Sequence, residues 1–74
     1  MYNLTLINLL TLCSTQLLES PSKSIAIAKI VTYLTDLGLD EDDVKISHRD
    51  GTYCIMFYHP VLNTLYVLRL YKII

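Results

Sequence analysis

The sequence has no tryptophan and only two glycines, two prolines and two cysteines among its 74 residues. This composition excludes collagen-like and low-complexity chains, which need far more glycine or proline. A chain of this length buries only about 60% of the surface that its unfolded form exposes. It has room for one small core and little for a catalytic cleft. We therefore expect a single domain over residues 1 to 74 and exclude a large enzyme fold.

A surplus of positive charge is also missing. Six Lys and Arg residues stand against seven Asp and Glu residues, which gives a net charge of −1. Proteins that bind nucleic acid usually carry a basic surplus, because contacts to phosphates supply most of their affinity. The charge balance therefore makes nucleic acid an unfavoured partner.

Two further absences concern metals and membranes. Cys13 and Cys54 form no CxxC pair and have no histidine at ligand spacing, so we expect two reduced thiols and neither a metal nor a cofactor. No apolar run approaches the roughly 18 residues of a membrane span, and no cation precedes the leucine-rich start as it would in a signal peptide. We therefore expect a cytoplasmic protein with no membrane partner.

Two segments have the apolar spacing of helices. Residues 3 to 19 place leucines at three- and four-residue steps opposite threonine and asparagine, which predicts an amphipathic helix. Residues 22 to 37 repeat this spacing with isoleucine, valine and leucine, after serines that can cap a helix start. Gly38 stands where a left-handed residue would end this second helix.

Three strands are predicted after the helices. Residues 44 to 49 alternate apolar and polar side chains, and Asp50-Gly51 strongly indicates a two-residue hairpin turn. A return strand is expected over residues 52 to 59 and a third strand over residues 65 to 73. The predicted fold class is α+β: two N-terminal helices packed on one face of a three-stranded antiparallel β-meander, in the order ααβββ, as a two-layer sandwich.

The last two predicted strands are apolar or aromatic on both faces, although the helices can cover only one face. An uncovered apolar face tends to mark an interaction surface, and Tyr, Met and Arg are enriched in protein interfaces. The expected partner is a protein, either a second copy or a different chain, and the C-terminal strand offers a free edge for dimerisation. The residues assigned to partner binding on the sheet are Tyr53, Ile55, Phe57, Leu65, Val67, Arg69 and Tyr71.

Four of the seven acidic residues are consecutive: Asp40, Glu41, Asp42 and Asp43, which we call the acidic turn. Calcium loops of the EF-hand type need alternating oxygen ligands around a central glycine, and this run lacks that pattern. The acidic turn is interpreted as a solvated connection that can also dock on a basic surface of a protein partner.

Two neighbouring residues, His48 and Arg49, are the candidates for a catalytic site. His48 could act as a general base while Arg49 holds a phosphate, as in a minimal ribonuclease. His59 lies at the far end of the paired strand, so no second acid or base is within assured reach. We assign no catalytic residue, and keep a nucleic-acid-associated regulator or a toxin-like ribonuclease as the alternative.

The sequence therefore favours a small non-enzymatic protein–protein interaction module that forms a homodimer. Its size and its lack of catalytic motifs are typical of an inhibitor or regulator of the phage or mobile-element type, such as a viral accessory protein. Such a protein would act by sterically occupying its partner through the exposed sheet face and the acidic turn.

Overall fold

The computed structural model describes residues 1–73, which form a five-stranded sheet and one α-helix. A 3-10 turn, Glu41–Asp43, precedes the third strand. No helix in this range is long and apolar enough to cross a membrane. In chain order the elements are β1 (Tyr2–Asn8), β2 (Ser14–Ser20), α1 (Lys23–Asp36), β3 (Val44–Arg49), β4 (Thr52–His59) and β5 (Thr64–Lys72).

The predicted first helix is wrong, because residues 3 to 19 form the hairpin of β1 and β2. The side chains of Leu4 and Leu6 lie on one face of the sheet and those of Thr5 and Ile7 on the other, which is the two-residue period of a strand. β1 also pairs with β5 along its whole length, so its backbone groups are satisfied between strands. The fold is therefore mostly β, and the predicted two-helix ααβββ sandwich is replaced by one helix on a five-stranded antiparallel sheet.

A β-bulge explains why the leucines of β2 resemble a helical pattern. The register between β1 and β2 shifts after Leu4, which pairs with Leu18, so that Thr5 pairs with Gln16 and Leu17 is left unpaired. A bulge of this kind lets successive side chains turn toward one face of a sheet. Both Leu17 and Leu18 accordingly pack against the core.

The strand order β2-β1-β5-β4-β3 places the C-terminal strand at the centre of the sheet. β5 pairs with β1 on one side and with β4 on the other, and all neighbouring strands are antiparallel. The free edge predicted for the C-terminal strand is therefore wrong, and the two edges are β2 and β3. Helix α1 connects these edges and crosses one face of the sheet.

The second helix and the Asp50-Gly51 hairpin are confirmed. α1 begins after Ser22, whose Oγ accepts a hydrogen bond from the backbone N–H of Ile25. It ends at Asp36, and beyond this end Gly38 adopts φ +78° while the backbone N–H groups of Gly38 and Leu39 donate to carbonyls of the last turn of the helix. These ends form where the sequence predicts them, because capping depends on residues a few positions apart.

The core lies between α1 and the sheet. Ala26 and Ile30 of the helix pack on side chains from the three central strands. Tyr33 stands edge-on to Phe57 at 6.2 Å between ring centres, and burial raises the pKa of the Tyr33 hydroxyl. The fully buried apolar residues are Leu4, Ala26, Ile30, Ile55, Phe57, Leu68 and Leu70.

The loop between β1 and β2 turns without glycine or proline. Asn8 stabilises it: Oδ1 accepts hydrogen bonds from the backbone N–H groups of Leu10 and Thr11, at 2.9 and 3.2 Å, and Nδ2 donates to the Tyr66 hydroxyl. Leu12 adopts φ +62°, a left-handed conformation that disfavours residues with a Cβ. The sequence therefore does not predict this turn, because the turn is formed by an asparagine side chain and a leucine in a left-handed conformation, and not by glycine or proline.

Replacing Leu12 by glycine is expected to stabilise the protein. The substitution removes the steric cost of the left-handed conformation, and little burial is lost because the Leu12 side chain is exposed. After the larger chain entropy of glycine is subtracted, the free energy of unfolding should rise by roughly 0.5–1 kcal/mol. Chemical denaturation measures this change. Leu10→Gly is the control, since Leu10 is exposed without a positive φ and its replacement should not stabilise.

Candidate functional site

The face of the sheet opposite α1, which we call the open face, is covered by no element within residues 1–73. Because side chains alternate along each strand, the residues that do not face the helix share this surface. In spatial order from β2 to β3 they are Ser14, Gln16, Glu19, Asn3, Thr5, Ile7, Leu65, Val67, Arg69, Tyr71, Thr52, Cys54, Met56, Tyr58, Lys45, Ser47 and Arg49.

A shallow groove of about 430 Å³ lies on the open face near β2. Asn3 Nδ2 donates a hydrogen bond of 2.7 Å to the Tyr71 hydroxyl, and the Arg69 guanidinium lies over the Tyr71 ring at 4.9 Å from its centre. These three residues form what we call the Arg69 cradle. The residues lining the groove are Asn3, Thr5, Ile7, Ser14, Gln16, Arg69 and Tyr71.

One atom of the cradle is left without a partner. Asn3 is only 8% exposed, and its Oδ1 is buried with no hydrogen-bond partner in the structure. Turning the amide over does not help, because Nδ2 would then become the unpaired buried group. A buried amide atom without a partner costs roughly 1–3 kcal/mol. The groove therefore lies over a buried amide with one unpaired oxygen, beside a cation.

The cradle can bind an anion or a polar group. Arg69 is the charged residue of the lining, which holds no Asp or Glu among the described residues. Guanidinium groups bind carboxylates and phosphates with paired N–H donors, and stacking on a tyrosine ring holds such a group in place. The hydroxyl groups of Tyr71, Thr5 and Ser14 add further donors around it. A carboxylate is a chemically suitable occupant.

Charge is unevenly distributed over the molecule. The open face carries the cations Lys45, Arg49 and Arg69 and one carboxylate, Glu19. The acidic turn lies instead at the start of β3, at the end of the sheet where α1 ends. The open face is thus basic although the whole chain has a net charge of −1.

The residues predicted to bind a partner divide between the two faces of the sheet. Leu65, Val67, Arg69 and Tyr71 lie on the open face, as the interaction hypothesis requires. Tyr53, Ile55 and Phe57 lie on the helix side, because β4 pairs Tyr53 with Leu70 and Ile55 with Leu68 of the core. The single surface predicted to hold all seven does not form. Their places on the open face are taken by Cys54, Met56 and Tyr58.

The helix-side residues have structural contacts. Ile55 and Phe57 are buried in the core. Tyr53 is half-buried and stacks on His48, with ring centres 4.2 Å apart. Its hydroxyl accepts a hydrogen bond of 3.1 Å from the Lys23 ammonium, which raises the pKa of that ammonium above its usual value. Tyr53 therefore joins the start of α1 to the β3–β4 hairpin.

One end of the sheet carries an apolar surface that was not predicted from the sequence. Leu10 and Val61 are 80% and 75% exposed at the tips of the β1–β2 and β4–β5 loops. The loops are adjacent, since the backbone N–H of Leu9 donates to the carbonyl of Leu65. We call this surface the apolar end; its members are Leu9, Leu10, Leu12, Val61 and Leu62. The signal was present as apolar residues in loops, but residues 9 to 12 were assigned to a helix.

The histidines and Arg49 do not converge on one site. His48 points to the helix side, whereas Arg49, the next residue of the strand, points to the open face. Nδ1 of His59 accepts hydrogen bonds from the backbone N–H groups of Val61 and Leu62, at 3.2 and 3.1 Å. His59 thus fixes the β4–β5 turn, some 20 Å along β4 from the position opposite His48 at about 3.3 Å per residue.

The part of the chain that the structure describes contains no cluster of three or more His, Cys, Asp or Glu side chains that could hold a metal ion. Cys13 is exposed and Cys54 half-buried, and neither forms a disulfide. Their apolar sequence neighbours indicate that both thiols are buried, and this expectation is wrong for both.

The fold and site define a small, mostly β protein with a basic open face on its sheet. The chain matches no protein-family model, and searches of curated proteins and of solved structures find no significant match either. Its function must therefore be inferred from its own residues and their geometry.

Proposed function

We propose that this chain is a non-enzymatic protein–protein interaction protein, of the inhibitor or regulator kind, that occupies a partner protein through the open face of its sheet. The observation that carries the proposal is this uncovered face, which combines exposed apolar and aromatic side chains with the Arg69 cradle. Proteins that act by occupation need such a face and no catalytic group.

The apolar part of the contact surface is continuous. Val67 lies between Ile7 and Met56 on the open face, and Leu65 lies opposite Tyr58. A second groove joins this patch to the apolar end, and its lining includes Leu9, Leu10, Tyr58 and Leu65. Exposed apolar surface that extends over several strands and two loops favours a protein partner over solvent.

The charge of the open face indicates the chemistry of the partner. A guanidinium held over a tyrosine ring, with amide and hydroxyl groups around it, suits a carboxylate from an Asp or Glu side chain or a chain terminus. Three cations against one carboxylate also disfavour the stacking of two open faces against each other. The favoured partner for this face is thus an acidic protein, and dimerisation would use another surface.

Capture experiments with matched variants test the proposal. The tagged protein is used to capture partners from a lysate of the cells that carry it, with and without nuclease, and captured proteins are identified by mass spectrometry. Arg69→Glu removes the cation of the cradle, and Leu65→Asp places a charge in the apolar patch. Each is expected to lower partner binding at least tenfold, which is about 1.4 kcal/mol or more.

Two variants on α1 that introduce the same kinds of charge change serve as controls. Lys29→Glu and Val31→Asp change exposed residues of the helix and should capture the same protein as wild type. The proposal is supported by one nuclease-resistant protein that the open-face variants lose and the helix variants retain. Capture that is equal for all variants, or that vanishes with nuclease, contradicts it. In the second case binding should also weaken steeply between about 50 and 200 mM salt.

A further inference from the structure

The edge strand β3 is protected on its outer side only by charged side chains, Lys45 and Arg49. It pairs with β4 in an uninterrupted register from Val44 to Arg49, without a bulge or a proline. The opposite edge, β2, carries the bulge, and α1 approaches β1 and β2 most closely. Soluble proteins usually protect a sheet edge by bulges, prolines, charges or coverage, because its open backbone groups can pair with another strand. β3 has only its charged side chains.

Ile46 lies in the middle of β3, and its side chain is on the helix side of the sheet. It lies opposite Ile55 of the core, yet its side chain is 66% exposed. The helix leans toward the other edge and leaves this position open. A β-branched apolar side chain at the middle of an edge strand is suited to packing against a neighbouring strand. A further strand beside β3 would therefore bury Ile46.

The charges at the two ends of β3 are complementary. The acidic turn precedes the strand, and the cation Arg49 ends it, next to His48. If two copies of β3 pair antiparallel, the acidic end of each strand meets the basic end of the other. The contact occurs twice in a symmetric dimer. The basic surface expected to receive the acidic turn is thus available on a second copy of this chain.

One register satisfies these requirements best. With the two-fold axis at Ile46, the two Ile46 side chains face each other, Lys45 faces Ser47, and Arg49 faces Asp43 at the end of the acidic turn; the one like-charge pair, Asp50 with Asp42, lies beyond the ends of the paired strands. An axis at Lys45 would oppose two ammonium groups, and an axis at Ser47 would oppose Lys45 and Arg49. Like charges directly opposite each other destabilise a strand pair.

We infer that β3 is a homodimer interface, through which two copies pair antiparallel about Ile46 and form a continuous ten-stranded sheet. The inference is independent of the proposed function, since it uses the edge of the sheet and would stand if the open face bound nothing. If both hold, the dimer presents two Arg69 cradles on one extended open face.

Sedimentation velocity over a micromolar to millimolar range is the first test. Wild type is expected to dimerise, and Ile46→Lys should raise the dimer dissociation constant at least about tenfold, because lysine at an edge strand discourages pairing. Ile46 is mostly exposed, so this variant should keep its fold, which circular dichroism checks. Val31→Lys is the control: Val31 is a 58% exposed apolar residue of the helix, and its replacement should leave the dimer unchanged.

Charge reversal in two separate variants tests the register. Arg49→Glu reverses the basic end, and Glu41→Lys reverses a charge of the acidic turn while sparing Asp40 and Asp43, whose side chains cap it, and Asp42, which faces Asp50 in this register. Each variant alone should self-associate at least about tenfold more weakly, and an equimolar mixture should form a heterodimer because both contacts are then attractive.

Three outcomes overturn the inference. These are a wild type that is monomeric at every concentration tested, an Ile46→Lys variant that dimerises as strongly as wild type, and charge variants that stay separate when mixed. Binding of a protein by the open face has its own variants, Arg69→Glu and Leu65→Asp, which should leave the β3 dimer intact. Failure of one proposal is therefore distinguishable from failure of the other.

Discussion

Replacing Phe57 by alanine is expected to bring the protein close to unfolding. Phe57 is 1% exposed and lies among the rings of Tyr33 and Tyr66, with ring centres 6.2 and 6.1 Å away. Truncation of a buried phenylalanine costs about 3–5 kcal/mol. A domain of this size has a free energy of unfolding of only about 4–11 kcal/mol. Chemical denaturation followed by circular dichroism should show most of the stability lost.

Met56 provides the matched control for Phe57. It is the preceding residue of β4, but its side chain points to the open face and is partly exposed. Met56→Ala should lower the free energy of unfolding by at most about 1.5 kcal/mol, because less apolar area leaves water when it folds. If the two variants lose equal stability, the assignment of Phe57 to the core and Met56 to the open face is wrong.

Replacing Thr5 by proline is expected to destabilise the fold strongly. Thr5 lies in the middle of β1, between Gln16 of β2 and Arg69 of β5. Proline donates no backbone hydrogen bond and is found in sheets almost only at edges or bulges. In a strand paired on both sides the partner of the lost N–H group is left unpaired, which costs roughly 1–3 kcal/mol.

The Thr5→Pro substitution also distinguishes the hairpin that residues 3 to 19 form from the helix that their leucine spacing predicts. Had these residues formed a helix, position 5 would lie in its first turn, where proline is tolerated because the N–H has no partner within the helix. Thr5→Val is the control, since valine keeps the branched shape that suits a strand. Thermal unfolding and amide proton NMR measure both variants. A Thr5→Pro protein as stable as wild type would contradict the central position of β1.

Helix α1 and the β3–β4 hairpin could be predicted directly from the sequence, because the residues that specify them are close together along the chain. Ser22 and Gly38 bound α1 from positions next to it, and Asp50-Gly51 forces the hairpin of β3 and β4. The β1–β2 hairpin could not be read in this way. Its turn is made by Asn8 and Leu12, and its leucines fit a helical period once a bulge displaces Leu17.

The candidate site was predicted in part. Val67, Arg69 and Tyr71 were assigned to an exposed sheet face, and the structure places them there. The residues of β4 were assigned to the wrong side, because strand alternation does not say which set faces the core. That choice depends on the register with β5, where Tyr53 lies opposite Leu70. The apolar end was missed together with the hairpin that forms half of it.

The sequence by itself determined helix α1, the β3–β4 hairpin, the last strand, and a surplus of apolar residues on both faces of the last two strands. Capping residues, a turn dipeptide and local periodicity act over a few positions, so they hold whatever the rest of the chain does. Only the tertiary structure decided that β1 enters the centre of the sheet beside β5, more than 60 residues away, as with Asn3 and Tyr71. That pairing buries Leu4 and Leu68, makes β3 an edge and brings Asn3 to Arg69, because hydrogen bonding and burial between distant segments outweigh local preference.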